Sequence, residues 1–224
     1  MNKQLIEDSV LKVVRSTLKL DEAYAASQKS FSLAAEAVSK QTKDLHVSVY
    51  KAAVDELNKI SAKLETAANP DAGSTCSTFR SLKRDEACML NSVYLHELYF
   101  NNCFDPASEI FVDMVSYMRL QRDWGLFDSW QEDFISCALS CDGWVCTVYN
   151  SFLKRYANAF IDGNDCGVLV GAYPVIVVDM HEHAYYRDFG NNKRAYISAM
   201  MQTFNWTVIE ERVKKADLLH KVIS

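Results

Sequence analysis

The stretch Tyr173-Pro174-Val175-Ile176-Val177-Val178-Asp179, continued by Met180-His181-Glu182-His183-Ala184-Tyr185-Tyr186, decides the reading of this chain. Its first seven residues form a short, apolar, β-branched run that predicts a strand with Asp179 at its end. A lone carboxylate at the end of a buried strand is costly unless it is paired or coordinating. His183 follows four residues later, close enough to share one metal ion with Asp179 if the chain turns into a helix there. The zincin spacing is absent, since the segment reads His-Glu-His.

Upstream of this stretch, Gly143-Trp144-Val145-Cys146-Thr147-Val148-Tyr149 reads as a buried strand and Tyr156–Ile161 as a second, polar-interrupted one. Gly163 to Gly171 carries three of the seven glycines and predicts a loop. Helical periodicity runs through Ile110–Leu120 and Trp130–Leu139 and returns from Ala195 to Val222. Before residue 105 the pattern is helical throughout. Ser39 is placed to cap a helix reaching about Ala67, with a broad apolar stripe of Leu45, Val49, Ala52, Ala53, Leu57, Ile60 and Leu64 that also takes in His46 and Tyr50. Asn69-Pro70-Asp71-Ala72-Gly73-Ser74 is a turn. A second helix spans about Thr78 to Cys103, with Met89, Val93, His96, Phe100 and Cys103 on one face. Two long helices joined by a short turn predict an antiparallel hairpin. The first 35 or so residues read as an amphipathic helical arm carrying Leu5, Val10, Val13, Val14 and Leu18, for packing or assembly. The domain division expected is an arm over 1–30, a helical hairpin over 31–105 and an α/β half over 106–224.

Composition narrows the function classes. The chain has 224 residues, 24 basic and 29 acidic side chains and a formal net charge of −5, with 49% hydrophobic residues, only 7 Gly and only 3 Pro. Disorder and collagen-like repeats are incompatible with these values, and so few helix breakers favour helix. The acidic balance argues against nucleic acid as a partner. No run approaches the roughly 18 apolar residues of a membrane span, and Met1–Leu20 lacks the apolar core of a signal peptide. Seven cysteines without a Cys-x-x-Cys pair do not suggest a disulfide framework. Reduced thiols and a cytoplasmic location are the expectation.

Five histidines are present: His46, His96, His181, His183 and His220. At about 1.5 Å rise per residue, His46 lies roughly 30 Å and His96 roughly 25 Å from the hairpin turn. They therefore face each other across the hairpin core at similar height. Each alone reads as a satisfied core residue; two neutral imidazoles meeting in an apolar layer need a partner, and a metal ion is one. With Asp179 and His183 they make a mixed N/O set that suits iron or manganese at least as well as zinc.

These segments also carry a resemblance. Asp179-Met180-His181-Glu182-His183-Ala184-Tyr185-Tyr186 resembles the Asp-x-Trp-Glu-His-Ala-Tyr-Tyr signature of iron/manganese superoxide dismutases. The run from Arg187 to Asn205-Trp206, with Asp123-Trp124-Gly125-Leu126-Phe127 and Gly143-Trp144, is similar to that family's later segments. Leu95-His96-Glu97-Leu98-Tyr99-Phe100 and Leu45-His46-Val47-Ser48-Val49-Tyr50 with Leu57-Asn58 resemble its two ligand helices. The resemblance covers about residues 31–214 and leaves the arm unexplained. It implies an α+β fold: a long antiparallel helical hairpin, then an α/β half with a small antiparallel sheet of about three strands.

The same resemblance implies that His46, His96, Asp179 and His183 hold one iron or manganese per chain, with superoxide as substrate and a homodimer or higher homo-oligomer as the assembly. It implies that Glu182 reaches the partner's His183 and that Tyr185 approaches the partner's Tyr50, where many family members have histidine. Arg194 takes the position that draws the anion in. His181 stands where the family has tryptophan, either as a substitute proton donor or filling that residue's space with water beside it. The family's gating tyrosine falls at Ala53 or Val54, the residue bonding metal-bound solvent at Asn164, and a second tryptophan at Cys146. A second reading keeps the fold as a structural or assembly protein with weakened catalysis, supported by the arm and by this altered surround.

Overall fold

In the computed structural model, residues 24–66, 74–162 and 170–223 are described. The arm's residues 1–23, Asn164, Cys166 and the side chain of His220 lie outside them.

Residues 24–36 are extended, not helical as their composition suggests. Tertiary partners hold this strap flat: Asn58 bonds both the Ala26 N–H (2.7 Å) and the Ala26 carbonyl (3.0 Å), and the Tyr50 hydroxyl accepts from the Lys29 N–H at 3.0 Å. Lys29 pairs with Glu97 and Phe31 packs on the rings of Tyr50 and Phe100. The helical arm is thus corrected over these residues. A bonded strap satisfies the backbone through side chains that no local pattern announces.

Helix α1 (Lys40–Thr66) begins at Ser39, whose hydroxyl accepts from the Thr42 N–H at 3.3 Å. His46, Tyr50, Ala53, Val54, Leu57 and Ile60 form its buried face, the i, i+3, i+4 spacing of a helix packed on one side. Helix α2 (Thr78–Tyr99) is capped by Ser77 and packs against α1. It does not continue as α-helix to Cys103. Phe100–Phe104 form one π-helical turn, and this wider turn lets Phe100, Asn102, Cys103 and Phe104 all be buried.

Helices α3 (Val115–Trp124) and α4 (Phe127–Leu139) lead into an antiparallel sheet of order β2-β1-β3, with β1 Trp144–Asn150, β2 Arg155–Ile161 and β3 Ala172–Asp179. The central strand β1 is buried along its whole length. A Cβ on Gly143 would sit 2.0 Å from the Ile161 carbonyl oxygen, so only glycine admits this approach just before Trp144. On the β3 edge, the Asn102 side chain acts as a one-residue strand: its Nδ2 donates to the Val177 carbonyl (2.9 Å) and its Oδ1 accepts from the Val177 N–H (3.1 Å). Arg212 braces that amide from α7 at 2.9 Å.

After β3 come α5 (Glu182–Phe189), α6 (Lys193–Gln202) and α7 (Trp206–Ile223). The tail read as one helix is broken at Thr203–Asn205, where buried Phe204 accepts from the Ser108 N–H and Asn205 caps α7. The overall architecture is the α+β arrangement expected, a helical hairpin followed by a three-stranded antiparallel sheet with helices around it. Among the described residues, Cys76, Cys103, Cys137, Cys141 and Cys146 are free thiols. Among the described residues, no helix is long and apolar enough to cross a membrane.

Candidate metal centre

Four elements converge on one point. His46 comes from α1, His96 from α2, Asp179 from the last position of β3 and His183 from the first turn of α5. One ligand atom from each lies within 4.8 Å of every other. The strand-to-helix turn is what brings residues 179 and 183 to the same place. The Met180 N–H donates to the Gly143 carbonyl at 2.7 Å, and the Tyr196 hydroxyl donates to the Asp179 carbonyl at 2.8 Å, so the strand end is fixed from both flanks.

Asp179 is the charged member and is wholly buried. Its Oδ2 lies 2.7 Å from His46 Nε2, 3.2 Å from His183 Nε2 and 4.0 Å from His96 Nε2. Its Oδ1 faces the other way, accepting from the His181 N–H at 2.8 Å and from His181 Nδ1 at 2.7 Å. Burial alone would raise this carboxyl, but the imidazoles of His181, His183 and His46 outweigh it and hold Asp179 well below the usual carboxylate range.

The two hairpin imidazoles, His46 and His96, are held neutral. Burial lowers His46 below its ordinary value against the pull of Asp179, and burial brings His96 down to about 4. His96 Nδ1 lies 2.7 Å from the Ser92 carbonyl, which can only accept, so the proton is on Nδ1 and the Nε2 lone pair is left for a ligand. His96 Nε2 and His183 Nε2 are both buried with no hydrogen-bond partner. Orphaned buried nitrogens at a shared focus with a carboxylate are what a metal ion would satisfy. Three imidazole nitrogen donors and one carboxylate oxygen fit iron or manganese.

The surround is aromatic. His46 lies against Tyr99 (5.1 Å between ring centroids) and His96 against Trp144 (4.8 Å). Tyr50 is buried in the same wall, its hydroxyl donating to Glu97 at 3.0 Å, with Ala53 and Val54 buried farther along α1. His181 stacks on His183 at 5.3 Å and meets Trp144 edge-on at 5.7 Å. Glu182 is exposed on α5, and Tyr185 is buried with the Lys193 ammonium 6.0 Å from its ring centroid. Arg194 is exposed on α6 without a bond to the cluster; Lys193, bonded to Asp142 at 2.6 Å, is the cation placed near Tyr185. Cys146 is buried in β1. Spacing alone did not mark Ser92, Tyr196 or Lys193, since their parts depend on contacts between elements.

A family model described as iron/manganese superoxide dismutases, C-terminal domain, matches residues 116–212. An iron superoxide dismutase of Cupriavidus metallidurans is 34% identical over 160 residues, 70% of this chain and 78% of that protein. An iron superoxide dismutase of Aquifex aeolicus is 32% identical over 170 residues, 75% of this chain and 79% of that protein. A manganese superoxide dismutase of Haloferax volcanii is 30% identical over 122 residues, 54% of this chain and 61% of that protein.

Proposed function

Because the chain belongs to the iron/manganese superoxide dismutase family, we propose that it holds one iron or manganese ion through His46, His96, Asp179 and His183 and dismutes superoxide there. The observation that carries this reading is the meeting of four donor atoms within 4.8 Å, two of them orphaned buried nitrogens. When bound, the metal supplies a one-electron couple, so that two superoxide anions and two protons become dioxygen and hydrogen peroxide.

The chain's own groups do the rest. His46 and His96, neutral in a dry aromatic layer, fix the ion's place with little freedom to move. Asp179 brings the one negative charge, which leaves the centre cationic toward an anionic substrate. His183 is the most open ligand, with its side chain 27% exposed, and His181 beside it is 22% exposed, so substrate and protons enter on that side. In an assembled homodimer, Glu182 and Tyr185 reach the partner subunit, Glu182 orienting the partner's His183. Tyr50 and Asn164 serve the proton path, and Arg194 contributes to the field that gathers the anion.

Metal content per chain, measured with the superoxide consumption rate of the loaded protein, tests this. One ion per chain with consumption far above that of free metal ions, both lost in His183→Ala, is the expected result. Stoichiometric metal without consumption would overturn dismutation, and no metal would overturn the whole reading.

A further inference from the structure

The Asp179 carboxylate is divided between two tasks, and the division is made by a side chain. Oδ2 faces the three ligand imidazoles. Oδ1 is taken up by His181, by its backbone N–H at 2.8 Å and by its ring Nδ1 at 2.7 Å. An ionised carboxylate only accepts, so Nδ1 carries the proton and donates. The imidazole is not free to swing away: its ring lies nearly parallel to that of His183, 15° apart at 5.3 Å, and edge-on to Trp144 at 5.7 Å. The backbone of any residue could supply the first of these bonds. The second needs a donor at the Nδ1 position.

From this geometry we infer that His181 is a positioning residue for the metal: its ring donor occupies Oδ1, leaves only Oδ2 for the ion and draws charge out of the carboxylate. The inference rests on the four-ligand reading above. Two consequences follow. With Oδ1 engaged, Asp179 ligates through one oxygen in a fixed rotamer, which favours retention of the ion. With charge drawn toward Nδ1–H, the carboxylate stabilises the more oxidised metal less, which raises the reduction potential.

The experiment uses the full chain loaded with iron or manganese, and reads metal affinity by chelator competition and midpoint potential by spectroelectrochemical titration. His181→Phe keeps a ring without the donor. His181→Asn places an amide nitrogen where Nδ1 is, and His181→Gln places one where Nε2 is. His181→Phe and His181→Gln are expected to bind metal roughly 10–100-fold more weakly and to shift the potential downward, while His181→Asn stays near the wild type in both. The Asn–Gln pair carries the test even if the Phe variant does not fold. Wild-type values in His181→Gln, or an Asn variant that follows Gln, would overturn the inference while leaving the metal site standing. A wild-type chain that takes up no metal, as His183→Ala is expected to do, would remove the four-ligand reading and this inference with it.

Discussion

The two halves of the molecule contribute to the centre in opposite ways. The hairpin half brings His46 and His96, neutral, sealed from solvent and walled by Tyr99, Phe100 and Trp144. The α/β half brings the carboxylate, Asp179, and the two partly exposed imidazoles, His181 and His183. Rigidity and shielding from solvent belong to the first half, charge and traffic to the second. A centre built this way can lose a contact on the hairpin side and keep its charge, but not the reverse.

The strongest way to break that contrast is to remove the anion. Asp179→Ala is expected to abolish metal binding, an effect beyond the roughly 10–100-fold typical of outer partners, as measured by metal content after loading and desalting. The hairpin substitution His46→Ala should leave partial occupancy, and equal losses in the two variants would erase the asymmetry.

Trp144 touches both halves, against His96 on one side and His181 on the other. Trp144→Ala is expected to cost about 3–5 kcal/mol, the usual range for emptying an aromatic core position. Denaturant unfolding measures it, and a cost under about 1 kcal/mol would say that the halves are not joined there.

Acidity should sharpen the contrast next. His96 is lowered by burial to about 4, so the unfolded chain binds its proton first as pH falls below its ordinary value. Metal-free stability is therefore full near neutrality and declines between about pH 6.5 and pH 4, by about 3 kcal/mol from His96. His46, also lowered by burial, adds a loss of the same sign. The depressed Asp179 contributes stability that is present above the ordinary carboxylate range and lost below it. Unfolding midpoints across this range, flat instead of falling, would contradict the assignment of neutral hairpin histidines.

The smallest effect is expected at the strap. Tyr50→Phe removes a hydroxyl that donates to Glu97 and accepts from the Lys29 N–H, at a cost of about 1 kcal/mol with metal content unchanged. Lost metal would mean that the strap belongs to the centre.

How much of this was legible in the chain follows the same divide. The β-branched run ending at Asp179, and two histidines at matching heights on a hairpin, are local patterns, and they single out residues that the structure brings together. The extended strap was misread because Ala, Ser and Lys suit a helix there and its tethers, Asn58 and Tyr50, lie far off in sequence. The π-helical turn was misread because a helical stripe looks continuous through Phe100 and Cys103. The bond from His181 Nδ1 to Asp179 depends on a ring orientation set by Trp144 and His183, which no spacing encodes.

The amide of Asn102 against Val177 has a further consequence. An edge strand with open backbone groups is a template on which another chain can add a strand, and β3 is an edge of this sheet. At its middle, both backbone groups of Val177 are already engaged by a side chain braced by Arg212. The π-helical turn thus closes this edge to an added strand at Val177, two residues before the carboxylate that ends it.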